Sequence, residues 1–157
     1  MFPFIFSMRL WHYELVRALP DQQLVSQWRE LCAIASRINH CGYPHHLLVN
    51  KVMDYSYKEL TEYAERVIEE MVYRHFRINV KAYNTFYQNV LNNKDKFLDC
   101  KPSRLGQYWG WHNDKYYLQC YHNLQEKYDC GGISNEEWQR IVKNKQFVQK
   151  THPIMKP

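Results

Sequence analysis

Apolar residues return at three- and four-residue spacings through much of this chain, a pattern that buries helical stripes rather than sheet faces. In the first such segment Leu24, Trp28, Leu31, Ala35 and Ile38 make one stripe, with Arg29 and Glu30 just beside it. Pro20 and Asp21 suit its first turn, where a proline N–H is not needed and a negative charge meets the positive helix end. Asn39–Pro44, holding Asn, Gly and Pro, reads as a loop. Ser56 and Glu59 have the spacing of a capping box ahead of a second helix reaching about His75 on Leu60, Ala64, Val67, Ile68, Met71 and Val72. A third helix is expected from about Lys81 to Leu91 through Tyr83, Phe86, Tyr87 and Val90.

Residues 92–110 look irregular, with Pro102, Gly106 and Gly110 among scattered basic residues (Lys94, Lys96, Lys101, Arg104). Asn113 or Asp114 can cap a fourth helix on Tyr117, Tyr121, Leu124 and Tyr128, which Gly131-Gly132 ends. Ser134 and Glu137 open a short fifth through Trp138, Ile141 and Val142. No repeat or low-complexity tract interrupts this order. The expectation is an all-α fold, a compact single-domain bundle of about four to five helices with long irregular connections. Residues 1–7 are read as an N-terminal extension, 8–142 as the helical domain and 143–157 as a loose basic tail.

Composition excludes some classes. A chain of 157 residues, 45% apolar and 24% charged, is globular rather than disordered, and buries roughly 68–70% of its unfolded surface. No apolar run approaches the ~20 residues of a membrane helix, so a membrane partner is not expected. The formal charge is +5 at pH 7, and 16% of residues are aromatic, 13 of them Tyr. That suits phosphates and stacked bases, and equally a core filled with rings. The five cysteines, Cys32, Cys41, Cys100, Cys120 and Cys130, form no CxxC pair and read as reduced thiols of a cytoplasmic protein. Met1–Ser7 lacks the basic start of a secretory signal.

One stretch carries more. Residues 8–31 read MRLWHYELVRALPDQQLVSQWREL, and the triplets Met8-Arg9-Leu10 and Trp28-Arg29-Glu30, with Asp21-Gln22-Gln23-Leu24 between, resemble the start of the phage-type (endonuclease V type) pyrimidine-dimer DNA glycosylase/AP lyase family. Gly42–Leu47 with Val49-Asn50, and His112–Leu124 with Glu126-Lys127, resemble its bacterial branch. The resemblance implies a mostly helical monomeric enzyme that cuts damaged double-stranded DNA without a cofactor or metal. The α-amine that begins the chain is then the nucleophile, and a Glu on the first long helix the acid/base group. By position these are the amine of Met8 and the carboxylate of Glu30. A terminal amine has a pKa of about 7.7–8.0, so part of it is neutral near pH 7, and cations such as Arg9 and Arg29 lower it further. The family is richer in Arg just after this Glu, where Cys32-Ala33 stand here.

Candidate DNA contacts are Arg9, Arg29, His45, His46, Trp109, Trp111, His112, Lys115 and Lys127. Arginines and lysines suit phosphates; the two Trp, beside Tyr116, Lys115 and Arg104, suit wedging or stacking on a distorted duplex. Surface charge, loop-capping His and core Trp are the plain alternatives. His40, Cys41, His45 and His46 are zinc-ligand types, but their spacing matches no standard site. Lys143, Lys145, Lys150 and Lys156 add a diffuse, salt-sensitive attraction.

An amide nitrogen is no nucleophile, so Met1–Ser7 ahead of Met8 conflicts with that chemistry. The expectation is that the active chain begins at Met8, by translation from there or by cleavage. A nucleic-acid-binding protein without catalysis is the alternative function, and a purely structural domain a third. The lesion is not identified by these residues.

Overall fold

A computed structural model describes residues 8–151. The described residues form five α-helices and three short 3-10 helices, with no strand. The α-helices are α1 (Asp21–Cys41), α2 (Tyr57–Tyr73), α3 (Val80–Asn92), α4 (Asp114–Asp129) and α5 (Asn135–Thr151); the 3-10 helices span Tyr13–Ala18, Asn50–Asp54 and Lys94–Lys96. The α1 stripe is buried as its spacing requires, and α1 packs chiefly on α3 and α2. Gly42 ends α1 in a left-handed conformation (φ 91°) and returns its N–H to Ile38 O, a geometry glycine takes without strain. One core cluster runs from Met8 and Leu10 through α1, α2 and α4 to Val148 of α5. Among the described residues no helix is long and apolar enough to cross a membrane.

Several local expectations change. The segment from Lys143 to Thr151 is not loose but the second half of α5, burying Asn144 and Val148. The lysines around them hid a stripe that continues from Ile141 at spacings of three and four. The last residues, including Lys156, and the extension Met1–Ser7 lie outside the described residues. Val72 is exposed rather than part of the α2 stripe. Ser56 does cap α2, accepting from Lys58 N. Glu59, however, does not complete a box. It turns inward, where Gln107 Nε2 donates to its carboxylate at 3.0 Å and to its carbonyl at 2.8 Å. Burial raises its pKa. At α5 the reciprocal box forms as read: Ser134 Oγ accepts from Glu137 N, and Glu137 Oε1 accepts from Ser134 N. Asn113, not Asp114, caps α4, accepting from Tyr116 N at 2.9 Å.

One side chain clamps the entry to α1. Arg74, at the end of α2, donates to the carbonyls of Leu19 (2.7 Å) and Arg17 (3.0 Å), and pairs with Asp21 (2.9 Å) and Glu70 (2.8 Å). Arg74→Ala takes the charged donor from the Arg17 carbonyl and one of two from the Leu19 carbonyl, which Arg140 Nη2 also reaches at 2.9 Å, and is expected to cost about 2 kcal/mol, read as a lower urea midpoint. Arg74→Lys should recover only part of it, because an ammonium cannot span the same fork.

Candidate active site

The site is built where the N-terminal segment crosses α1. Gln27, Glu30 and Arg37 recur at spacings of three and seven, and so share one face of α1. Gln27 is fully buried and ties the two elements together. Its Oε1 accepts from Trp11 N at 2.8 Å, and its Nε2 donates to Arg9 O at 2.8 Å and to Glu30 Oε2 at 3.4 Å. The Tyr63 hydroxyl donates its proton between Trp11 O (2.6 Å) and Gln27 Oε1 (2.8 Å). Every polar group of the Gln27 amide is thus occupied.

Glu30 Oε2 accepts from Arg9 N at 3.3 Å, one residue along the chain from Met8. Burial pushes its carboxyl up to about 7, against the opposing pull of the Arg9 N–H and the Arg9 charge. Desolvation outweighs both because these contacts are long and few. A carboxyl that exchanges its proton near neutral pH suits general acid/base work. Met8 is buried, its Sδ 3.5 Å from Arg37 Nη1, which also reaches Pro44 O.

Arg9, whose backbone N–H meets Glu30, also lines an open cavity of about 1020 Å3, whose lining includes neither Met8 nor Glu30. Arg9, Lys51 and Lys115 line it, with Glu126 the one carboxylate in its wall. Trp111 and Tyr116 supply aromatic surface, and Leu47 and Leu48 stand on another side. The Arg9 guanidinium also lies over the Trp11 ring at 5.2 Å. Tyr116 OH donates to Leu10 O at 2.6 Å, holding α4 against the N-terminal segment. The cavity can hold an anionic ligand with flat rings, and Arg9 is the residue it shares with the Glu30 contact.

The sequence-predicted residues divide. Met8, Arg9 and Glu30 come together, and Arg9, Trp111 and Lys115 share the cavity. Arg29 does not join them. One residue of helix turns it about 100° from Glu30, into a second cavity of about 640 Å3 between α1 and α3 with Arg77 and Lys81. His112 is buried, its pKa lowered chiefly by that burial. Its Nδ1 accepts from Tyr13 N at 3.1 Å, and its carbonyl takes the proton of His12 Nε2 at 3.0 Å. It is not among the residues lining the cavity, and its buried Nε2 has no hydrogen-bond partner among the described residues. His45 is exposed in a left-handed conformation (φ 59°) with its ring stacked on Tyr43. His46 Nδ1 accepts from Leu48 N, folding its own loop. Trp109 is 56% exposed but outside the cavity lining, as is Lys127. Among the described residues no three His, Cys, Asp or Glu side chains gather to hold a metal ion. Sequence reasoning missed Gln27, Arg37 and Tyr63; the spacing of Gln27 and Arg37 from Glu30 is the signal that finds the first two.

A family model described as pyrimidine dimer DNA glycosylase matches residues 8–84, a span that contains Met8, Arg9 and Glu30 and ends within α3. No curated protein and no solved structure matches the chain.

Proposed function

With residues 8–84 belonging to the pyrimidine dimer DNA glycosylase family, we propose that this protein removes a damaged base from duplex DNA and then cuts the strand, through an imine formed by the α-amine of a chain that begins at Met8. The observation that carries this reading is the Glu30 carboxylate 3.3 Å from the Arg9 backbone nitrogen, next to the residue that supplies the amine. The neutral amine attacks the sugar C1′ as the bond to the base breaks, and the imine forms when the C1′–O4′ bond of the ring opens. Glu30 delivers a proton as the sugar ring opens and takes one in the elimination that breaks the strand. Arg9, next to Met8 in the chain, and Arg37, whose Nη1 lies 3.5 Å from Met8 Sδ, are the cations that favour the neutral amine, rather than Arg29, which lines another cavity. Drawing the damaged nucleotide out of the stack costs a few kcal/mol, and the cationic, ring-bearing cavity suits it once extruded.

The test is borohydride trapping on abasic duplex DNA, comparing a chain begun at Met8 with one begun at Met1. Covalent complex is expected from the Met8 chain and not from the other; no complex from the Met8 chain overturns the amine mechanism. The division of cations gives a second expectation. Lys115→Ala should lower the slope of log affinity against log salt by about one, while Arg29→Ala leaves it unchanged. Titration of binding to an uncleavable lesion duplex at several salt concentrations measures both.

A further inference from the structure

At one rim of the cavity two leucines stand in water. Leu47 is 89% exposed and Leu48 48%, and both line the cavity mouth. A single exposed leucine signifies little, but this pair sits on a braced tip. Pro44 and Val49 on either side are buried. His46 O accepts from Val49 N (3.0 Å) and Asn50 N (2.8 Å), and His46 N donates to Asn50 Oδ1 at 2.9 Å. Leu48 N donates to His46 Nδ1 at 3.3 Å, so four backbone N–H groups of the turn are held by bonds within it. The leucines are therefore held outward instead of being free to fold back onto the core. Lys51, three residues after Leu48 on the 3-10 helix, lines the same cavity, with Arg9 and Lys115 from other elements. An apolar tip flanked by phosphate-seeking cations matches the surface of a duplex, whose charged backbone encloses apolar base faces.

We propose that Leu47, backed by Leu48, is a wedge that enters the base stack at the lesion and keeps the duplex open while the extruded nucleotide occupies the cavity. This rests on the reading of the chain as one that acts on duplex DNA. Leu47 is a positioning residue, since it meets base faces rather than the reacting atoms.

The experiment uses a duplex with an uncleavable abasic analogue and the fluorescent base 2-aminopurine beside it. Binding of the wild-type protein is expected to raise the fluorescence as that base unstacks. Leu47→Ala should lose most of the rise and bind this duplex roughly tenfold more weakly, yet bind as tightly as wild type when the lesion is bulged open beforehand. Leu47→Met should restore both. Because Leu47 has so little contact with the fold, an unchanged circular dichroism spectrum is expected. A full fluorescence rise with Leu47→Ala, or equal weakening on paired and bulged duplexes, overturns the wedge while leaving the enzyme reading intact. Leu47-dependent binding to anionic vesicles with no fluorescence change on DNA also overturns it, assigning the tip to a lipid surface. If the wild-type protein binds no duplex at all, the enzyme reading and the wedge fall together.

Discussion

Glu30→Gln is expected to reduce strand cleavage by roughly 10²- to 10⁴-fold, because it removes the group that exchanges protons during ring opening and elimination. Duplex affinity should persist, since Arg9, Lys51 and Lys115 still line the cavity. Single-turnover cleavage and equilibrium binding of the same lesion duplex separate the two effects; a protein that only binds DNA has no cleavage to lose. The substitution should also make the fold more stable, increasingly so at higher pH. The Glu30 carboxyl titrates at about 7 in the folded protein against an ordinary 4.5. Between those values the folded state holds a proton that the unfolded state has released, so wild-type stability falls as pH rises through this window. A glutamine has no such dependence. The variant should gain on the wild type from pH 5 to pH 8 by about 2 kcal/mol, after allowance for solvent reaching a half-buried carboxylate. Urea unfolding at the two pH values reads this directly. A gap that does not widen would mean that burial of Glu30 is not what raises its pKa.

Gln27→Ala is expected to damage stability and rate together. The Trp11 N–H and Arg9 carbonyl lose their shared partner, and each buried, unsatisfied group costs about 1–3 kcal/mol. The Tyr63 hydroxyl stands beside Trp11, so a total on the order of 3 kcal/mol is expected in thermal or urea unfolding. The Arg9–Glu30 contact depends on the same segment staying against α1. A displacement near 1 Å there should lower the single-turnover rate by about 100-fold, measured well below the melting temperature of the variant. A destabilised variant with a wild-type rate would show that Gln27 holds the fold but does not position the site.

The helices were legible because their signals are local. Trp28, Leu31 and Ala35 define a stripe within a few residues, and Gly42, Asn113 and Ser134 mark ends through hydrogen bonds to residues close in sequence. The approach of the Met8-Arg9 segment to Glu30, on which the proposed chemistry rests, was legible only through resemblance, since nothing in the intervening residues states that this segment folds back onto that carboxylate. Gln27 and Arg37 carried a periodic signal, but an isolated polar residue on a helix is ordinarily solvated, and its burial depends on what packs over it. Glu59 shows the same limit from the other side. Its spacing from Ser56 fits a cap, yet the loop carrying Gln107 reaches it from 48 residues away and draws the carboxylate inward.

By itself, then, the amino-acid order determined that the fold is helical, most of the stripes the helices bury, and which residues carry candidate acid/base and cationic groups. Periodicity, capping and acidity are properties of short segments, so they survive without knowledge of the fold. Tertiary packing alone decided that Arg9 and Lys115 share a cavity while Arg29 faces another, that His112 is buried, and that Leu47 stands in water. Each of those outcomes depends on residues from distant parts of the chain meeting in space, and desolvation, which lifts Glu30 toward neutrality, exists only once they have met.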